Sequence, residues 1–212
     1  MKEIRNIIFD FGGVLLDWNP RYLYRSYFND DDEMEHFLSD VCNGEWNIQQ
    51  DAGRPFAEAV KILQAQYPQY SEAIRMYDDD WDKMLKCEIP GGVALLHALK
   101  DMGYGIYGLT NWSAEKIGIA FSGYDFFSLF DGIVVSGVEK VAKPDLGIYH
   151  ILLDRYGLKP EESVFIDDNA DNVAAAVSLG INGIRFDDAE NVKSRLEALL
   201  GRKVEGKSVK RD

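Results

Sequence analysis

The chain is short of the residues that mark several common classes of protein. Its 212 residues include two cysteines, Cys42 and Cys87, and three histidines. Two thiols so far apart make neither a disulfide framework nor the paired spacing of a zinc site. Reduced, half-buried thiols are the expectation. Positive charge is also scarce: 23 Lys and Arg stand against 36 Asp and Glu, a formal charge of −13. Such a surface repels both a nucleic-acid backbone and an anionic membrane, so neither is expected as a partner. No apolar run reaches the roughly 18 residues that a membrane span needs. In the opening MKEIRNIIFDFGG the apolar stretch is cut at Asp10, which argues against a secretory leader and for a cytoplasmic protein. What is present, 46% hydrophobic and 12% aromatic residues, is enough for a sizeable core in a chain of this length.

Short apolar runs recur along the chain: IRNIIF (4–9), GIYGL (105–109), GIVVS (132–136), SVFI (163–166) and NGIRF (182–186). Each has the length of a strand and is almost continuously apolar, the pattern of strands covered on both faces. Helical patterns separate the later runs. GVALLHALKDMGY (92–104) is amphipathic and stops at a glycine. KPDLGIYHILLDRYGL (143–158) has proline near its start and glycine near its end, and NADNVAAAVSLG (169–180) opens with capping residues. Strands alternating with helices predict a parallel α/β sheet. Residues 18–88 break this rhythm, with three helical segments (EMEHFLSDVC, RPFAEAVKILQAQY, SEAIRMYDDDWDKML) and no strand among them. The expected division is therefore a core of residues 1–17 and 89–200 with a helical insertion over 18–88. The polar residues 201–212 are expected to fray.

Ligands bind at the carboxyl ends of strands in open α/β sheets. Asp10, Thr110-Asn111 and Asp167-Asp168 all fall at such ends, and Lys143 precedes a helix. Three carboxylates on one edge repel one another unless a cation joins them, and oxygen donors of this kind suit magnesium. A hydroxyl, an amide and a lysine beside them suit a phosphate, and one carboxylate is then free to act as a nucleophile. Each residue alone has an ordinary structural reading, as a turn former, a helix cap or a solvated charge. Their coincidence at the ends of successive elements favours the chemical one. By contrast, GYGIYG (103–108) fits a dinucleotide fingerprint only in letters, because it ends a helix and enters a strand.

In order and spacing, FDFGGVL, LTN, KPDLGIY and FIDDNADN resemble the four motifs of the haloacid dehalogenase-like hydrolase superfamily across residues 4–16 and 89–200. The resemblance implies an α/β fold with a Rossmann-like parallel sheet and an α-helical cap inserted after the first strand. Its first and fourth motifs most resemble those of bacterial sugar-1-phosphate phosphatases, and next those of the amino-terminal phosphatase domain of soluble epoxide hydrolases. It implies a hydrolase of small phosphorylated metabolites that uses Mg2+. Asp10 would be nucleophile and metal ligand. The Gly12 carbonyl and Asp168, supported by Asp167, would complete the metal site. Thr110, Asn111 and Lys143 would bind the phosphoryl group, Lys143 would also act in catalysis, and Asn172 would orient the acidic pair.

One position departs from the pattern. Most phosphatases of the superfamily carry an aspartate two residues after the nucleophile as general acid, and this chain has Gly12. Loss of a general acid costs ~10²–10⁴ in rate. Esters whose leaving oxygen needs little help, such as sugar 1-phosphates and acyl phosphates, would then be the better substrates. Asp17 is a candidate substitute acid, with a structural role at the entry to the insertion as its alternative. Candidate specificity residues are Arg21 and Trp112, with Asn43, Glu45 and Trp46 in a segment read as turns. His36, His97 and His150 have no catalytic partner in the pattern. Two rival readings stay open: a metal-independent dehalogenase, and a non-catalytic binding protein on the same fold.

Overall fold

The computed structural model describes residues 2–206. The chain opens with β1, Asn6–Phe9, and β2, Leu16–Trp18. Helices α1 (Arg21–Tyr24), α2 (Asp31–His36), α3 (Gly44–Asp51), α4 (Phe56–Gln66) and α5 (Ser71–Asp79) follow. The chain returns through β3, Leu85–Glu88, into α6, Pro90–Asp101. The remainder alternates as β4 (Gly105–Thr110), α7 (Ile117–Gly123), β5 (Gly132–Val135), α8 (Ser136–Glu139), α9 (Leu146–Tyr156), β6 (Ser163–Asp167), α10 (Ala170–Ser178), β7 (Asn182–Arg185) and α11 (Ala189–Leu200).

Five strands form one parallel sheet in the order β5-β4-β1-β6-β7. The continuous apolar runs have the expected consequence. In β1, Ile7 and Phe9 pack into one core cluster and Ile8 into the other; in β6, Val164 and Ile166 face the first and Phe165 the second. Both faces are covered, so no polar alternation appears in these strands. Phe9 pairs with Gly108 on one side and Ile166 on the other. One residue further on, Asp10, Leu109 and Asp167 stand abreast at the carboxyl edge.

β2 and β3 pair antiparallel as a two-stranded ribbon that carries the chain out to the helical insertion and back. Strands of three and four residues are too short to show alternation, which hid them from the sequence pattern. The insertion has its own aromatic centre. Tyr24 and Phe37 pack with ring centroids 4.9 Å apart, and the Tyr24 hydroxyl donates to the Ala73 carbonyl at 2.8 Å. Such ring pairs add about 0.5–1.5 kcal/mol each beyond the area they bury.

Residues 201–206 do not fray. Val204 is buried in the core, its N–H donates to Glu197, and Arg202 lies over the Tyr104 ring. A single apolar residue in a polar stretch makes no periodic signal. The rest of the expected tail, 207–212, lies outside the described residues. Both cysteines are free, Cys42 buried and Cys87 exposed. Among the described residues no helix is long and apolar enough to cross a membrane.

Candidate active site

The carboxyl edge of the sheet gathers an ion cluster around Lys143. This side chain is fully buried, and its Nζ meets Asp10 Oδ1 at 2.9 Å and Asp167 Oδ2 at 2.6 Å. A third bond, at 2.9 Å, goes to the Leu109 carbonyl. The ammonium has three donors, and all three are used. Lys143 is aimed from its backbone: its N–H donates to Asn111 Oδ1 at 2.8 Å, and Asn111 Nδ2 returns a bond to its carbonyl at 2.9 Å. The side chain of Asn111 is thereby fixed by the Lys143 backbone, with one of its two Nδ2 hydrogens uncommitted.

Asp167 is held on all sides. Asn172 Nδ2 bridges both its oxygens at 3.1 Å, and Asn169 N donates to Oδ1 at 2.8 Å. Asn169 also caps α10, accepting from Asp171 N and Asn172 N. One strand end and one helix start therefore fix Asp167, while Asp168 next to it stays exposed. Asp10 Oδ1 accepts from Phe11 N at 2.7 Å as well as from Lys143, which leaves Oδ2 free among the described residues.

Carboxylate oxygens of Asp10, Asp167 and Asp168 all lie within 4.8 Å of one another. Three carboxylates stand against one buried ammonium, with Arg185 acting on Asp168 from outside, so the cluster is short of positive charge. The titration of the cluster registers that deficit. Burial pushes the Asp10 carboxyl up to about 7, against the pull of Lys143 and with a further push from Asp167. Burial and then Asp167 also raise Asp168. Burial works to lower Lys143, but Asp10 and Asp167 outweigh it and hold the lysine above its ordinary value. An all-oxygen donor set with excess negative charge fits a hard divalent cation. Gly13 gives this site its shape: φ is +72°, and a Cβ there would stand 2.4 Å from Asp168 Oδ2.

Between the sheet edge and the insertion lies a cavity of about 80 Å³, the liquid volume of roughly three waters. Gly12 and Asn111 contribute from the core, and Asn47, Asp51 and Trp81 from the insertion, with Trp18 and Trp112 completing the wall. The Thr110 hydroxyl at the end of β4, and the indole N–H groups of Trp18 and Trp112, are buried without a hydrogen-bond partner. Buried polar groups left unpaired cost about 1–3 kcal/mol each. Two of them belong to residues that line the cleft, and the third stands at the strand end next to Asn111, so they mark places where a polar ligand would bond.

The candidate specificity residues separate here. Trp112 lines the cleft, whereas Arg21 does not, being held by Glu35 through bonds of 2.6 and 2.5 Å. Asn43 caps α3, Trp46 is buried against Tyr77, and Glu45 is exposed. The segment read as turns is a helix, and its next turn supplies Asn47 and Asp51 instead. Their i, i+4 spacing after a capping asparagine was the available signal. Asp17 sits on β2, outside the cleft lining, and accepts from the Tyr22 hydroxyl at 2.7 Å. His36 pairs with Asp40, and His97 and His150 lie exposed on helix faces.

A family model described as haloacid dehalogenase-like hydrolase matches residues 4–180. The chain belongs to this hydrolase family. Its relatives divide by chemistry. A sesquiterpene phosphatase of Aspergillus oryzae is 28% identical over 200 residues, 92% of this chain and 95% of that one. An (S)-2-haloacid dehalogenase of Burkholderia cepacia is 29% identical over 102 residues, 48% of this chain and 44% of that one. Among solved structures, a family enzyme of Bacteroides thetaiotaomicron in complex with magnesium and inorganic phosphate aligns with a TM-score of 0.68 and 21% identity. The alignment spans 89% of this chain and 98% of that one. The α/β fold with its five-stranded parallel sheet is thus that of a haloacid dehalogenase-like hydrolase.

Proposed function

We propose that this hydrolase is a magnesium-dependent phosphatase of small phosphomonoesters, acting through an aspartyl phosphate on Asp10. The observation that carries the reading is the uncompensated acidic cluster beside an orphaned Thr110 hydroxyl. A dehalogenase has no use for an extra negative pair. The likeness to a phosphatase over nearly the whole chain points the same way.

In this reading Asp10 Oδ2 attacks phosphorus. Lys143 draws Asp10 towards its ionised form against the effect of burial, and offsets charge between nucleophile and phosphoryl group. Thr110 and the main chain at Asn111 hold phosphoryl oxygens. Asp10, the Gly12 carbonyl and Asp168 would ligate magnesium, with Asp167 tied to Lys143 and Asn172 as their support. Bound magnesium supplies positive charge that binds a phosphoryl oxygen and stabilises charge in transfer. Asn47, Asp51 and the two indole N–H groups would meet hydroxyls of the alcohol part, which suits a sugar 1-phosphate.

The deciding test measures phosphate release from sugar 1-phosphates, sugar 6-phosphates and an aryl phosphate, with magnesium and with chelator. Release that vanishes on chelation is the expected result. Gly12 keeps the dehalogenase reading in view, and chelator-resistant halide release from a 2-haloacid, with no phosphate release, would establish it instead. A variant probes the metal geometry. Gly13→Ala drives a methyl into Asp168, so the magnesium concentration for half-maximal rate should rise about tenfold or more. An unchanged magnesium requirement would remove Asp168 from the site.

A further inference from the structure

Position 12 offers no proton to a leaving group, yet the cleft it opens into contains a carboxyl outside the acidic cluster. Asp51 is the last residue of α3 and lines the same cavity as Gly12 and Asn111. Its orientation is fixed through a short relay. The Tyr77 hydroxyl donates to Asn47 Oδ1 at 3.2 Å, and Asn47 Nδ2 donates to Asp51 Oδ2 at 3.0 Å. The insertion thus holds a carboxyl over the cleft, against walls of Trp18, Trp81 and Trp112 that limit water.

Resting on the phosphatase reading, we propose that Asp51 is the general acid of this enzyme, delivered by the helical insertion in place of the missing residue at 12. As the bond from Asp10 Oδ2 to phosphorus forms, the bond from phosphorus to the leaving oxygen breaks, and the Asp51 proton passes to that oxygen. The products are the free alcohol and an Asp51 carboxylate. That carboxylate then takes a proton from water as the water oxygen attacks phosphorus and the bond to Asp10 breaks. Inorganic phosphate leaves, and Asp51 is protonated again.

The surroundings suit that cycle. Burial raises the Asp51 carboxyl to about 7, moderated by the Ser113 backbone N–H and by Lys143, the charged group that acts on it. Tyr77 is its titratable neighbour from α5. A group balanced near neutrality both gives and takes a proton. With Asp51 in this role, the preference for acidic leaving groups inferred from Gly12 alone disappears, and plain alkyl phosphates become substrates.

The test compares Asp51→Asn with wild type on an alkyl phosphate and on p-nitrophenyl phosphate, whose leaving group needs no proton. In the first half-reaction, read as the single-turnover release of the alcohol, the alkyl ester should lose about 10²–10³ in rate and the aryl ester less than about tenfold. The fall of wild-type alkyl turnover above neutral pH should vanish in the variant. Retained aryl turnover shows that the variant folds. A Cβ on Gly12 would meet nothing within 4 Å, so Gly12→Asp in the Asp51→Asn background should recover part of the alkyl rate. Equal losses on both esters, or a rise in KM alone, would overturn the assignment. A wild type that releases phosphate from neither ester overturns the phosphatase reading itself, and the acid falls with it.

Discussion

Asp10→Asn should abolish phosphate release, with kcat falling by at least about 10⁴-fold. The amide keeps the shape of the side chain and its bonds to Phe11 N and Lys143, but it cannot attack phosphorus. The same change should not weaken the fold. In the native state the Asp10 carboxyl titrates near 7, against ~3.9 in an unfolded chain. Folding therefore favours its protonated form. The associated stability is fully present below the unfolded value and is lost as pH rises through 7. At pH 8 without metal, wild type carries a buried charge that the variant lacks. The variant should melt at or above wild type there, and about 1 kcal/mol would appear as 2–4 °C. The difference should close by pH 4. Turnover within tenfold of wild type would remove Asp10 as nucleophile, whatever the melting curve shows.

An enzyme site that is less stable when charged is the expected consequence of gathering carboxylates to bind a cation. The sequence carried much of this. Asp10, Thr110 and Asp167 were legible because each directly follows or ends a run that must be a buried strand, and strands in a parallel sheet present the same end to the ligand. Lys143 was legible only through its place before a helix; nothing local says that its ammonium reaches two carboxylates 24 residues or more away in the chain. Asn111 shows the opposite limit. Its side chain is bonded to the Lys143 backbone, a contact set by the segment after α8 and invisible to a motif.

The insertion was read more coarsely. Its helices were apparent from periodicity, but its contribution to the cleft depends on the angle at which the β2–β3 ribbon delivers it. A ribbon of seven residues (3 + 4) leaves no pattern to read. The residues that reach the cleft from it, Asn47, Asp51 and Trp81, are therefore the ones the sequence did not single out. The Trp18–Trp81 and Trp81–Trp112 contacts, at 6.3 and 5.3 Å between centroids, run from ribbon to insertion to core. They tie the position of the insertion to the wall of the site.

Lys143→Met should have the largest combined effect. It leaves Asp10, Asp167 and Asp168 facing one another with no buried cation among them, and it removes a bond to the Leu109 carbonyl. Removing one partner of a buried ion network costs about 3–5 kcal/mol. In a chain of this size that is a fall in Tm of roughly 6–20 °C. Methionine fills most of the lysine stem's volume, so the loss is electrostatic rather than a cavity, and two measurements separate the two causes. Lowering the pH protonates the carboxylates and should narrow the gap to wild type, since the variant's acids bind protons more readily in the fold than out of it. Magnesium should raise the variant's Tm more than it raises wild type's, because the cluster it enters carries one more uncompensated charge. A cavity would respond to neither. Activity should still be lost with magnesium present, because the metal replaces the charge of Lys143 but not its hold on Asp10 Oδ1. A variant that melts with wild type at every pH would show that the three carboxylates are not charged together, and the metal site argued from their repulsion would lose its basis.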